Sequence, residues 1–366
     1  MRVEATSHLD SSIAEQYRTL TLNSRDSMFY HSLKYMRLLA SFIGATPFTL
    51  ICFEGDNILG ALPAFIKHHS DGAVLNSLPF YGSHGGVILR KGVQGDQARR
   101  TRDRLLDRLM QECSELDVAL CTIITSPFEK GLADYKRGLS PRYVQERIAQ
   151  MVTLPPGGQE SDLVAGFESR CRRSIRKAVH SKISVSVMQE YEPRLIDRIY
   201  EMHTENMQKT GAPVKPKIFF ERIHDFFDLH QDYEIYVAEC QGQTIAALLV
   251  FYFNGVAEYF VPAVDVEHRE LNPMHLILVS AMTDASRRGM SIWNFGGTHQ
   301  VMDGVYLFKR SFGTRDYYYH YLTAAFSDLS IDLTPSEMRS TYTWFYVLPY
   351  SALSQSDSGL HQNQEE

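Results

Sequence analysis

The sequence contains few cysteines, and their arrangement argues against two kinds of structural site. The five cysteines among the 366 residues are Cys52, Cys113, Cys121, Cys171 and Cys240, and no two have CxxC spacing. A zinc site needs closely spaced ligands, and a disulfide framework favours an even count. The pattern therefore predicts neither, and it is typical of a reducing compartment. No metal and no redox cofactor is implied.

Long hydrophobic runs are also missing. The longest apolar run, Thr244–Phe253, is shorter than the about 20 residues that a membrane-spanning helix needs. The opening residues, MRVEATSHLDSS, lack the apolar centre of a signal peptide. The sequence thus predicts a cytoplasmic protein, and peripheral contact with the inner face of a membrane stays open.

The sequence has neither an excess of positive charge nor a hydrolase motif. The formal net charge is −6, so DNA is not an expected partner, and any polyanion would have to bind a local basic patch. Neither GxSxG nor HExxH occurs. Hydrophobic residues make up 44% and charged residues 22%, which is ordinary for a globular protein with sizeable cores.

What the chain does contain is an internal repeat. Phe48–Glu54 and Asp56–Phe65 are two apolar runs joined by a polar turn, and Tyr233–Glu239 with Gly242–Phe251 repeat this design. Each pair predicts a β-hairpin. Downstream, a helical period with Leu105, Leu106, Leu109 and Met110 on one face precedes a strand at Val118–Ile124.

The second half repeats that helix and strand, which indicates two similar α/β units. Asn272 is expected to cap a helix with Pro273 in its first turn, before a strand at Ser291–Phe295. The Pro- and Gly-rich stretch Leu154–Asp162 is interpreted as the join. The predicted parts are a peripheral segment 1–24, domains 25–153 and 154–330, an aromatic segment 331–350 that packs on a domain, and a disordered tail 351–366.

Such repeated halves are similar to tandem acyl-coenzyme A N-acyltransferase (GNAT) folds. In addition, Asn294-Phe-Gly-Gly, a polar loop and YLFKRSFG (306–313) resemble the Fem-type aminoacyltransferases, which attach amino acids to the peptide of peptidoglycan precursors. ESRCRRSIRKA (168–178) and KTGAPVKPKIFFERI (209–223) resemble two further family segments. The resemblance extends over about 29–322. It implies an α+β (mixed α/β) chain of two GNAT-like domains, each with a mainly antiparallel sheet flanked by helices.

The resemblance assigns catalysis to Lys309, whose positive charge would face the oxyanion of acyl transfer. Phe308 would bind the donor by stacking on the terminal adenosine of an aminoacyl-tRNA. The alternative is that Phe308 belongs to the core and Lys309 to a solvated helix. No protein nucleophile is required, because proximity can bring an amine and an ester to react.

Gly296 and Gly297 would let the chain turn after the strand and bring backbone N–H groups close to the donor, although they can equally form a plain turn. Asn294, where many relatives have an acid, is a candidate to bind the acceptor. Tyr259 is expected to line the same cleft as an acceptor contact. Glu258 can serve as a base, but no pattern singles it out.

The resemblance also implies residues that bind an anionic acceptor. Lys215, before a proline, stands where the family has a basic residue that binds the diphosphate, and Arg37 is its loosely aligned partner in the first half. A lysine lacks the bidentate fork of arginine, so the acceptor can differ. Arg37 is equally consistent with a solvent-facing helix charge. Tyr81, in a Gly-rich segment, is a further acceptor contact.

One dense basic cluster lies in the second half. Arg173, Arg176, Lys177 and His180 follow helical spacing and share a face. In an acidic protein this face is a candidate donor-binding site for phosphates of tRNA, for an acidic carrier protein or for anionic lipid. A solvated helix face is the alternative for some of these residues.

A coenzyme A-binding loop is not evident. The segment His268–Ile277 stands where coenzyme A-dependent relatives have glycines before a helix, and it has Asn272-Pro273 instead. This favours an aminoacyl-tRNA or a carrier-bound acyl group as donor.

Together these features predict an N-acyltransferase that acylates an amine of a phosphorylated or lipid-linked cell-envelope precursor, either peptidoglycan or a surface polysaccharide. One alternative is an acyltransferase that uses acyl-coenzyme A or acyl-carrier protein in exopolysaccharide or lipid biosynthesis. Another is a binding protein with the same fold and no catalytic activity.

Overall fold

The structure is a computed structural model of the chain. It describes residues 1–80, 82, 84–298, 304–327 and 334–349. The predicted tail 351–366 and the predicted contact Tyr81 lie outside the described residues.

Strands and helices alternate along the described chain. The strands are β1 (Arg2–Thr6), β2 (Thr46–Glu54), β3 (Asn57–Lys67), β4 (Ala73–Asn76), β5 (Ile88–Leu89), β6 (Val118–Ile124), β7 (Tyr143–Thr153), β8 (Ser184–Val187), β9 (Tyr233–Cys240), β10 (Gln243–Phe253), β11 (Val256–Val264), β12 (Ile292–Thr298) and β13 (Arg315–Ala325). The helices are α1 (Ser11–Asn23), α2 (Leu33–Ala40), α3 (Gly95–Glu115), α4 (Leu132–Leu139), α5 (Glu160–Ala165), α6 (Ser169–His180), α7 (Pro193–Thr210), α8 (Lys217–Phe226), α9 (Pro273–Arg287), α10 (Gly304–Arg310) and α11 (Pro335–Thr341).

The chain forms two compact units. The first unit contains Met1–Arg147 and the described residues from Tyr318 onward, and the second unit contains Ile148–Tyr317. The strand order in the first unit is β1-β2-β3-β4-β6-β13, with β5 beside β3. The β4–β6 pair is parallel and its other pairs are antiparallel. Leu105, Leu106 and Leu109 of α3 are fully buried in its core, as their spacing predicts.

The second unit repeats this arrangement. Its strand order is β7-β12-β11-β10-β9-β8, and β11–β12 is its parallel pair. Helix α9 packs on the sheet, and its Ile277, Leu278 and Met282 belong to the same buried core as Trp293 of β12. Among the described residues, none of the helices is both long enough and apolar enough to cross a bilayer.

The predicted repeat and fold class are confirmed. Hairpins β2–β3 and β9–β10, third strands β4 and β11, helices α3 and α9, and strands β6 and β12 occur in the same order in each unit. One detail differs, because Asn272 adopts a left-handed conformation (φ 58°) and makes no side-chain cap hydrogen bond. Pro273 is nevertheless at the start of α9, where its missing N–H costs little.

The predicted segment 1–24 is not peripheral in the structure. Strand β1 pairs with β2 along its whole length, and Tyr17 of α1 is fully buried. The alternation of apolar residues in so short a strand is a weak sequence signal, whereas the contact with β2 is a tertiary one. The described residues after β13 also pack on the first unit, where Tyr342 and Phe345 are buried.

Candidate functional site

In the second unit, β11 and β12 pair over only a few residues. Val256, Ala257 and Glu258 pair in parallel with Ile292, Trp293 and Asn294, and no further β11–β12 pair occurs in the described part of the chain. Beyond that point β11 continues beside β10, and β12 continues beside β7. The polar pair Glu258 and Asn294 therefore lies where two strands of one sheet part.

Glu258 and Asn294 are both buried and are bonded to each other. Glu258 is 2% exposed and Asn294 is completely buried. The side-chain amide of Asn294 donates to both carboxylate oxygens of Glu258, at 3.1 and 2.9 Å. Withdrawing a carboxylate from water is costly unless hydrogen bonds compensate it, so this position is unusual for a purely structural residue.

The turn after Asn294 needs its glycine. Gly296 has a φ of 75°, a conformation that side chains rarely adopt, and its N–H donates to Asn294 Oδ1 at 2.9 Å. A side chain at position 296 would begin 3.9 Å from Glu258 Oε1. A register shift in the β12–β7 ladder between Asn294 and Gly297 accommodates the turn.

Lys309 of α10 binds the other end of the same turn. Its Nζ donates to Gly297 O at 2.9 Å and to Thr298 Oγ1 at 2.8 Å. The residue is only 5% exposed, so the expectation of a solvated surface lysine does not hold. The Asn294–Thr298 segment of β12 thus bonds a buried carboxylate at its start and a buried ammonium at its end.

A second layer of hydrogen bonds positions Lys309. Thr298 Oγ1 donates to Gln150 Oε1 on β7 at 3.1 Å. The Gln150 amide in turn donates to the backbone carbonyl of Tyr306 at 3.3 Å and to Thr314 Oγ1 at 3.2 Å. Gln150 therefore links β7, β12 and both ends of the α10 segment.

The ring of Phe308 belongs to an aromatic cluster. It makes edge contacts with His275 and Phe312, with centroids 5.3 and 5.2 Å apart. The ring is half-buried against the core of the second unit. Burial lowers the pKa of His275 to about 4, so this imidazole is neutral at physiological pH. Stacking of Phe308 on adenosine stays a prediction.

The start of α9 offers few N–H donors. Pro273 has none, the N–H of Asn272 is bonded to Arg269 O, and that of His275 is bonded to Asn272 O. A pyrophosphate cradle depends on such groups.

Helix α6 carries exposed basic residues, and its first residues are bonded to the α10 segment. Arg173, Arg176 and Lys177 are exposed. At the start of α6, Arg170 donates to the carbonyl of Leu307, and the N–H of Glu168 donates to Ser311 O at 2.8 Å. The helix is therefore attached to the segment that carries Lys309, and the donor-binding role of its cations stays a prediction.

Lys215 lies between α7 and α8, against a ring of β11. Its ammonium is 4.9 Å from the centroid of the Phe260 ring, and its backbone N–H donates to His203 Nε2 at 3.2 Å. Burial lowers the pKa of Lys215 to about 8 and that of His203 to about 4. This lysine is therefore partly deprotonated at mildly alkaline pH.

Two other predicted acceptor contacts are described. Tyr259 packs on Phe295 with centroids 5.3 Å apart, and burial raises the pKa of its hydroxyl above the ordinary value. Arg37 is exposed on α2 of the first unit.

Sequence reasoning singled out neither Glu258 nor Gln150. Glu258 lies in an apolar strand, and a charge with apolar neighbours on a predicted buried strand is the signal that could have found it. Gln150 carries no such signal, because its role arises from contacts with residues far along the chain.

Comparisons with known proteins agree with the fold of the chain. Residues 165–310 match the family model of the acetyltransferase (GNAT) domain. The crystal structure of FemX superposes with a TM-score of 0.67 at 13% identity, covering 88% of this chain and 97% of that one. The chain has a Fem-like tandem GNAT fold.

Two further solved structures superpose with lower TM-scores. L-PGS from Bacillus licheniformis has a TM-score of 0.55 at 9% identity, covering 92% of this chain and 98% of that one. A tandem GNAT protein from the clavulanic acid biosynthesis pathway has a TM-score of 0.51 at 11% identity, covering 88% and 98%. No curated protein sequence matches the chain. At these identities the likeness establishes the GNAT fold alone.

Proposed function

We propose that the protein is an N-acyltransferase whose second unit transfers an acyl or aminoacyl group to an amine of a cell-envelope precursor. The observation that carries the proposal is the pairing of Glu258 and Lys309 with opposite ends of one turn in β12. Amide formation needs a group that takes a proton from the amine and a group that stabilises an oxyanion.

Glu258 is proposed as the base. A free amine is protonated near neutral pH. Its nitrogen must lose a proton before it can attack a carbonyl carbon. The carboxylate of Glu258 can take that proton, while the bonds from Asn294 fix its orientation. A water-poor surrounding strengthens its interaction with the ammonium of the acceptor.

Lys309 is proposed to stabilise the oxyanion. When the amine nitrogen bonds to the carbonyl carbon, the carbonyl oxygen gains negative charge. That charge is released when the bond to the donor's leaving group breaks, and the leaving alkoxide or thiolate takes up a proton that the reacting nitrogen loses, by way of Glu258. An ammonium held by Gly297 O and Thr298 Oγ1 needs little reorganisation to stabilise it.

The donor is proposed to be an ester or thioester on a carrier other than free coenzyme A. The start of α9 supports this, because Pro273 has no N–H and two neighbouring N–H groups are already bonded. The envelope acceptor is supported by the resemblance to Fem-type enzymes and by the likeness to FemX.

Transfer assays with the whole chain test this proposal. Charged tRNA, acyl-carrier protein and acetyl-coenzyme A would each be incubated with peptidoglycan precursors and amino sugars, and amide products would be identified by mass spectrometry. We expect a product with one of the first two donors that is lost in Lys309→Met. A product from coenzyme A alone would overturn the donor class, and turnover by Lys309→Met at the wild-type rate would overturn the site.

A further inference from the structure

Helix α6 has two opposite faces of different chemistry. Cys171 and Ala178 are buried against the second unit. At 100° per residue, Arg173, Arg176 and His180 lie directly opposite them, and all three are exposed. The helix contains five Arg and Lys residues and no Asp or Glu, although the whole chain has a net charge of −6.

Little within the described part of the chain neutralises this outward face. Lys177 approaches Glu270 at 4.0 Å, but Glu270 is 93% exposed, so the pair is weak. Arg173 and Arg176 take part in no ion pair among the described residues. By contrast, Arg170 and Arg172 donate to backbone carbonyls, which holds them close to the unit.

An exposed apolar residue lies beside the charges. Val179 is 59% exposed, the largest exposure among the large hydrophobic residues that the structure describes. A basic face combined with exposed apolar side chains is typical of helices that lie on the surface of an anionic bilayer. Phosphates of a nucleic acid would pair with the cations but would gain nothing from the valine.

We propose that the outward face of α6 docks the protein on an anionic membrane surface. Each cation near such a surface contributes about 1 kcal/mol, so Arg173, Arg176 and Lys177 together can hold a peripheral protein reversibly. Because α6 is bonded to the α10 segment through Arg170 and Glu168, docking would hold Lys309 near the membrane. Only the benefit of this position rests on the proposed function: a lipid-linked acceptor would lie at the membrane, close to Lys309.

Vesicle sedimentation tests the docking without any transfer assay. The whole chain would be mixed with vesicles of phosphatidylcholine alone or with phosphatidylglycerol added. We expect binding only to the anionic vesicles, weakened by salt. The double variant Arg173→Glu with Arg176→Glu should weaken vesicle binding at least about 25-fold, because each lost cation weakens binding roughly fivefold. Arg99→Glu with Arg100→Glu, two exposed arginines of α3, makes the same charge change elsewhere and should retain most of the binding.

Val179→Trp provides a second measurement. Its fluorescence, after subtraction of the wild-type signal, should shift to shorter wavelength with anionic vesicles and should not shift with RNA. The proposal is overturned if wild type does not bind the anionic vesicles, or if the α6 and α3 variants bind equally well. It is also overturned if the α6 variant loses RNA binding but keeps vesicle binding. None of these results depends on whether the protein transfers an acyl group.

Discussion

Each unit contains a parallel strand pair, and the ends of the two pairs differ. In the first unit, the pairing of β4 with β6 ends at Asn76 and Thr122, and the chain after β4 stays beside β6: Ser77 N donates to Thr122 O, and Ser77 Oγ accepts from Ile124 N. The Asn76 side chain is bonded to both backbone groups of Tyr346. In the second unit the corresponding pair is Glu258 and Asn294, and the strands part after it.

This difference indicates a division of roles between similar halves. The first unit fills the end of its strand pair with its own backbone and with neutral side chains, which stabilises the fold. The second unit places a carboxylate, a glycine turn with positive φ and an ammonium at the equivalent point. Burying a charge is costly, and buried charged groups are found at functional sites more often than elsewhere. The buried charges of the second unit therefore favour a functional role for it.

The largest expected effect is that of Lys309→Met. Loss of the ammonium should lower the transfer rate by about 10²–10³-fold, the usual cost of removing an oxyanion-stabilising donor. Lys67→Met is the matched control in the first unit. Lys67 is half-buried, whereas Lys309 is buried; Lys67 likewise donates to a backbone carbonyl, Thr343 O at 3.4 Å, and burial lowers its pKa. Rates per folded molecule, with folding checked by thermal melting, should differ sharply between the two variants.

Glu258→Gln should lower the rate by about 10²-fold or more, because an amide cannot accept the proton of the amine. Its oxygen can still accept from Asn294, so the fold should survive. Glu234→Gln is the control, since Glu234 is equally buried but is paired with Arg288. It should lower the melting temperature and leave the rate per folded molecule unchanged. Equal losses of rate in the two variants would contradict a specific role for Glu258.

A smaller effect is expected on the pH dependence of acceptor binding. If the Lys215 ammonium binds an anionic acceptor, KM for that acceptor should rise about tenfold as pH passes from 7 to 9, because the protonated fraction of a lysine with a pKa of about 8 falls by about that factor. Lys215→Arg should flatten this rise.

The free energy of unfolding should rise over the same pH range in which acceptor binding weakens. The folded pKa of Lys215 is lowered, so between pH 8 and the ordinary lysine range the unfolded chain binds more protons. This group therefore makes the fold more stable as pH rises, and a rise in KM cannot be attributed to unfolding. A constant KM between pH 7 and 9 would remove Lys215 from acceptor binding.

Much of the fold could be predicted because its signals are local. The hairpins, the apolar face of α3 and the limits of β6 follow from periodicity and turn residues within short windows. The Lys309 segment was recognised through a motif. Its partners could not be found in this way, since Gln150 and Glu258 are distant in sequence and acquire their roles only when β7, β11 and β12 align.

The smallest effect on activity is expected from Asn76→Ala. Its side-chain amide donates to Tyr346 O at 2.8 Å and accepts from Tyr346 N at 2.7 Å, both in the first unit. Alanine removes both hydrogen bonds to the part-buried backbone of Tyr346, so the free energy of unfolding should fall by about 1–3 kcal/mol. Urea denaturation measures that loss, while the rate per folded molecule should stay at the wild-type value. A large loss of rate with unchanged stability would mean that the strand pair of the first unit also takes part in the reaction, and the division of roles between the units would have to be abandoned.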